Sequence, residues 1–159
     1  MRLGGCLLLL GATLYLALTL SAEQKRRLAL SEGMLLLLHH ISANLSCFSL
    51  PLSAVFASFC HEGLEKTGFL KDLRRDGLLS ALQKHKRSLS PSKEEWEILL
   101  AFAQRLGKGF LAEEEALCRY TTERYEALFK RLEEEGPRKR KTQEALVITG
   151  GLMVILLFL

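Results

Sequence analysis

The 159 residues are enough for one domain, but their apolar content is uneven: both ends are oily and the middle is charged. The formal charge of +4 sits mostly in two basic clusters, "KRR" (Lys25 to Arg27) and "RKRK" (Arg138 to Lys141), with no aromatic residues interleaved, which argues against nucleic acid as a partner. The four cysteines (Cys6, Cys47, Cys60, Cys118) lack the paired spacings of a zinc or redox motif, and neither His39-His40 nor Cys60-His61 has metal-ligand spacing, so no metal or cofactor is expected.

Residues 3–22, "LGGCLLLLGATLYLALTLSA", carry no charge, and as a helix of about 30 Å they match a bilayer core. The rival reading is a cleaved secretory signal, since Leu20-Ser21-Ala22 imitates a cleavage site. Only Arg2 precedes the run, however, and "KRR" follows it at once. Positive charge on the trailing side favours a retained anchor, residues 1–22, with the following chain in the cytoplasm.

The middle segment, residues 23–136, reads as helical throughout, because no run alternates with period two. Leu30, Met34, Leu37, Leu38, Ile41 and Leu45 recur at three- and four-residue steps and predict that the first helix continues from the anchor. A second helix is predicted over "SLPLSAVFASFCHEGLEK", with Ser49 as cap, Pro51 in the first turn, Leu52, Val55, Phe56 and Phe59 as its face, and Gly68 as its end. Leu70, Leu73, Leu78 and Leu82 mark a third helix, which Gly77 weakens.

The clearest local signal is Ser92 followed by Glu95, a capping box. It opens a helix with Trp96, Leu99, Leu100, Ala103 and Leu106 as the expected buried face, closed by Gly107. Glu113, Glu114 and Glu115 then suit the first turn of a last cytoplasmic helix. Its inner face is expected to be Leu117, Thr121, Tyr125, Leu128 and Leu132, and Gly136-Pro137 is expected to break or bend it.

After a basic linker, residues 137–144, come fifteen uncharged residues, Ala145 to Leu159. They reach only about 22 Å as a helix, a mismatch tolerable if the flanking Arg140 and Lys141 snorkel and the terminal carboxylate sits in the far headgroups. The basic clusters then face each other across the middle segment, which places that segment in the cytoplasm and makes anionic lipid the simple partner of both. The expected fold class is therefore all-α, two transmembrane helices enclosing a small cytoplasmic helical bundle.

Nothing in the sequence assembles an active site. There is no GxSxG, no HExxH and no phosphate-binding glycine loop, and "LGKGF" (Leu106 to Phe110) lacks the spacing of one. The protein is expected not to be an enzyme and to have no small-molecule substrate.

Three stretches in this order resemble the stage III sporulation protein AB family. "EEWEILLAFAQRLGKGF" (Glu94 to Phe110) is similar to its acidic, apolar helix ending in a Leu-Gly pair. "ITGGLMVILLFL" (Ile148 to Leu159) is similar to its terminal anchor, and "LLLLHHISANLSCFSLPLSAVFASF" (Leu35 to Phe59) to its first two helices. The chain departs from the family at "KGFLAEEEAL", where an aspartate and a glutamine-rich helix start are usual.

The resemblance implies a subunit of the complex linking mother cell and forespore in endospore-forming bacteria. It also implies a multi-pass protein of the mother-cell membrane, with a domain like that of the F-type inner-membrane platform protein of type II secretion systems. Such a domain would dock a secretion-type ATPase, stage III sporulation protein AA, beside other membrane subunits. Arg119, Glu123, Arg124, Lys130 and Arg131 are the candidate contact, set against their plainer reading as a solvated helix face with local ion pairs. Gly150 and Gly151 are the candidate packing face in the membrane. An exported helical binding protein, with a cleaved signal and a C-terminal tail anchor, is the alternative organisation.

Overall fold

The computed structural model describes the backbone of residues 2–48 and 50–158, and the side chains of residues 15, 19, 21–45, 50–135, 145 and 149. Every regular element in this range is helical: α1 (Arg2–Phe48), α2 (Leu52–Ser58), α3 (Glu62–Lys66), α4 (Phe69–Leu89), α5 (Lys93–Arg105) and α6 (Leu111–Phe158). The chain divides into two compact units, Met1–Arg26 with Leu132–Leu159, and Arg27–Arg131. Among the described residues no helix is long and apolar enough to cross a membrane. Nearly all side chains of the runs 3–22 and 145–159 lie outside the described residues, as do those of "RKRK", Gly150 and Gly151.

In the Arg27–Arg131 unit the α1 stripe is buried as its periodicity requires: Leu30, Met34, Leu37, Leu38, Ile41 and Leu45 all lie in the core. Phe69, Leu70 and Leu73 of α4, Ile98 and Phe102 of α5, and Leu128 of α6 are buried in the same unit, and Leu30 and Met34 share a small cavity with Leu82 and Leu89 of α4, Leu99 of α5 and Tyr125 of α6. Burying a large apolar side chain contributes roughly 1.5–3 kcal/mol, so this face is what holds the helices together.

The single helix expected over residues 49–68 is instead two short ones. The chain is extended at Phe59 and at His61, which caps α3 by accepting from the Leu64 N–H at 3.3 Å. Pro51 precedes α2 as its extended cap rather than sitting in the first turn. Val55, Phe56 and Phe59 are buried as expected, while Leu52 is half-buried; Ser49 lies outside the described residues. The imidazole of His61 lies over Gly33 in mid-α1, where an added Cβ would come within 2.7 Å of the ring. That glycine, costly in a helix interior, is therefore the gap through which α3 docks on α1.

Two further expectations change. The inner face of α5 is rotated: Glu95, Ile98, Leu99, Phe102 and Ala103 are buried, whereas Trp96, Leu100 and Leu106 are half-buried. The reason is the buried carboxylate of Glu95, described below, which turns its own side of the helix inward. The second is the break allowed at Gly136-Pro137: the backbone of α6 continues across it to Phe158, so of the two expected outcomes the break is not found. One proline costs a helix interior about 3 kcal/mol, which does not stop propagation when helix-forming sequence lies on both sides.

Gly77 does more than weaken its helix. At φ 81°, ψ 173° it occupies a region essentially reserved for glycine and kinks α4 into two pieces. A straight helix would hold Asp72 and His85 about 20 Å apart. Here the Asp72 carboxylate is met by Lys84 Nζ at 2.8 Å, His85 Nε2 at 2.6 Å and Arg75 at 3.2 Å. The kink thus folds the second half of α4 back, and the cluster fastens it.

Hydrogen bonds from Lys84 and then His85 hold the Asp72 carboxyl down at about 2. A carboxyl lowered on folding contributes stability fully above its unfolded pKa of about 4, and loses it as pH falls from there toward about 2. The melting temperature of the wild type should therefore drop more steeply across that window than that of Asp72→Asn, which starts several degrees lower at neutral pH. Parallel melting curves for the two proteins across the window would contradict the role assigned to Asp72.

Candidate functional site

Glu95 stands at the third position of α5 and completes the expected capping box, its Oε2 accepting from the Ser92 N–H at 2.6 Å while Ser92 Oγ accepts from the Glu95 N–H at 3.2 Å. The same carboxylate is only 1% exposed. Its Oε1 accepts from the hydroxyl of Ser31 on α1 and, at 3.2 Å, from that of Tyr125 on α6. Arg27 of α1, half in solvent, approaches Oε2 at 3.9 Å. Burying a carboxylate is tolerable only when its lone pairs are used, and here both oxygens are engaged.

One side chain thus joins three helices. Burial and the neighbouring Glu95 charge hold the Tyr125 phenol well above its usual range, so it stays a donor. One turn out, Arg131 of α6 pairs with Glu94 of α5. A cavity of about 10 Å³ beside the cluster, lined by Leu30, Ser31, Leu89, Pro91 and Tyr125 among others, has room for at most one water. Ligand pockets are typically some 300 Å³ or more, so this space is a packing defect and not a substrate site.

Other polar groups are likewise engaged structurally. The string Ser88–His85–Asp72 looks superficially like a hydrolytic triad, with separations of 3.4 and 2.6 Å. The Ser88 hydroxyl donates to the His85 carbonyl at 3.0 Å, as helix serines do, and serves the backbone. His61 of the Cys60-His61 pair is spent on capping α3. Burial, followed by Glu114 and Glu115, pushes the Cys118 thiol up to about 12, so it behaves as an apolar residue. Cys60 is exposed, and the side chains of Cys6 and Cys47 lie outside the described residues. The "LGKGF" loop is pinned by Glu114, whose Oε1 accepts from the N–H groups of Lys108 and Gly109 at 2.9 and 2.8 Å.

The five candidate contact residues are all exposed on α6. At about 100° per residue they form two stripes: Arg119, Glu123 and Lys130 within about 40° of one another, and Arg124 with Arg131 roughly a quarter-turn away. The first stripe lies directly opposite the buried Thr121, Tyr125 and Leu128, and the second lies to one side, between it and that buried face. The structure separates them further by occupation. Lys130 pairs with Glu126 at 2.9 Å and Arg131 with Glu94, whereas Arg119, Glu123 and Arg124 make no ion pair among the described residues. The Lys130–Glu126 pair is local, as the plainer reading expects, whereas the Arg131–Glu94 pair joins α6 to α5.

The whole chain can be compared with known families at this point, and a family model described as stage III sporulation protein AB matches residues 2–159. The chain belongs to the stage III sporulation protein AB family. No curated protein and no solved structure matches it. Membership supports a role in stage III sporulation, in a family of complex subunits rather than a known enzyme family. The stretch that carries the resemblance most strongly, Glu94 to Phe110, contains Glu95 itself.

The clamp was missed in the sequence because the capping box already accounted for Glu95. The signal that existed was polar: Ser31 and Tyr125 sit within or beside apolar stripes, where a hydroxyl needs a buried acceptor. Glu95→Ala should cost about 2–4 kcal/mol in chemical denaturation, because it removes the cap and strands both hydroxyls. Glu95→Gln, which still caps, should cost clearly less. Equal losses in the two variants would show that the charge, and not the hydrogen bonding, holds the helices.

Proposed function

We propose that the protein is a membrane platform subunit of the channel complex between mother cell and forespore. Apolar helices at residues 3–22 and 145–159 anchor it, and the Arg27–Arg131 unit faces the cytoplasm. There it docks the secretion-type ATPase stage III sporulation protein AA. Family membership supports the setting, and the charge-free ends with basic inner flanks support the topology.

The observation that carries the docking proposal is the outer side of α6. Arg119 and Glu123 on that side, and Arg124 beside it, are exposed and have no ion pair among the described residues, on a helix whose inner side is fixed by Tyr125 to Glu95. A helix held in one place loses little freedom when a partner docks, which is what a static platform needs. Lys130 and Arg131 support the helix instead through their own ion pairs.

The test is capture of the ATPase by the full-length protein in detergent. Arg119→Glu with Arg124→Glu should weaken binding roughly tenfold or more while leaving the melting temperature unchanged, since neither side chain has a partner to lose. Undiminished binding by this double variant would contradict the assignment of the α6 face.

A further inference from the structure

We propose that the turn joining α4 to α5, residues 86–93, is a contact surface for anionic lipid headgroups, with Arg87 and Lys93 as its free cations. This rests on the membrane-anchored reading above and adds a second, peripheral contact that the anchors do not require.

The turn lies at a defined end of the Arg27–Arg131 unit. Leu89, Pro91 and Glu95 line the same small cavity as Leu30 and Ser31, and Glu95 and Glu94 meet Arg27 and Arg131. These are the first and last residues of the unit, and the chain leads from each of them toward an apolar run. Lys86, Arg87, Lys93 and Arg27 therefore gather at the end of the unit from which the chain leaves for both apolar runs.

Their charge is available. Arg87 and Lys93 are exposed and have no carboxylate partner among the described residues, while Lys86 lies over the Trp96 ring at 4.5 Å. The carboxylates nearby in sequence do not cancel them: Glu94 is taken by Arg131, Glu95 is buried, and only Glu97 is exposed without an ion pair among the described residues.

Fold stability explains part of this cluster and leaves a remainder. Lys86 and Arg87 suit the negative C-terminal end of α4. Lys93 does not fit that account, because it is the first residue of α5, where the helix dipole disfavours a cation. An anion outside the protein would satisfy this exposed cation. Trp96, half-buried beneath Lys86, has the amphipathic character of side chains that settle at headgroup level. The aromatic face is covered by Lys86, so it offers no stacking platform for bases.

Trp96 is the only tryptophan in the chain and reports on its own surroundings. The full-length protein is reconstituted in vesicles of phosphatidylglycerol or phosphatidylcholine carrying bromine near the headgroup end of the acyl chains. Bromine should quench Trp96 in phosphatidylglycerol and not in phosphatidylcholine. The quenching should be lost at high salt and in the Arg87→Gln, Lys93→Gln double variant, whose unchanged circular dichroism shows that it is folded. Equal quenching in the two lipids, its absence from both, or its persistence in the double variant overturns the proposal. Anchoring is read separately, by whether alkaline carbonate strips the protein from both vesicles. If it does and phosphatidylglycerol-selective quenching was present, the contact surface stands without the anchors; if the protein resists stripping and selective quenching is absent, the anchors stand and the contact surface falls; if it is stripped and selective quenching is absent, both readings fall.

Discussion

A carboxylate shut away from water is the constraint around which the Arg27–Arg131 unit is built. Glu95 would be unaffordable in a helical core unless every nearby donor were aimed at it. Three helices meet that condition together: Ser31 from α1, the Ser92 amide at the start of α5, and Tyr125 from α6. Apolar packing alone would let these helices slide by a turn with modest loss, whereas a hydrogen-bonded carboxylate fixes register, since any slip leaves its lone pairs or its donors unmatched. The rotation of the α5 inner face and the inward position of Tyr125 both follow from it.

The placement of that carboxylate matters for function. It lies one turn from Arg131 and beside Arg27, the residues that bound the unit. Under the proposed platform role, α6 would have to be kept in a fixed position, and Glu95 fixes it close to the end of the unit. Asp72 plays the corresponding part for α4, holding its halves together across Gly77. In both cases a buried carboxylate fixes the geometry of the helices around it.

Much of the fold was legible in the sequence. The α1 stripe, the Ser92 capping box and the Thr121–Tyr125–Leu128 face were readable because each is a local pattern with a fixed period or spacing. What stayed hidden was non-local. The break between α2 and α3 depends on His61 docking over Gly33, nearly thirty residues earlier, and the sharpness of the Gly77 kink depends on Asp72 finding Lys84 and His85. Of the contact residues, exposure was readable from helix phase, but the separation of Arg131 from Arg124 required knowing that Glu94 lies across from it.

Amide hydrogen exchange on the full-length protein tests most directly whether Glu95 binds three helices into one cooperative unit. If it does, Glu95→Ala should accelerate exchange together in the first turn of α5, in α1 around Ser31 and in α6 around Tyr125, all by a similar factor. Faster exchange confined to the first turn of α5, with the Ser31 and Tyr125 turns as protected as before, would reduce Glu95 to a helix cap and contradict the account.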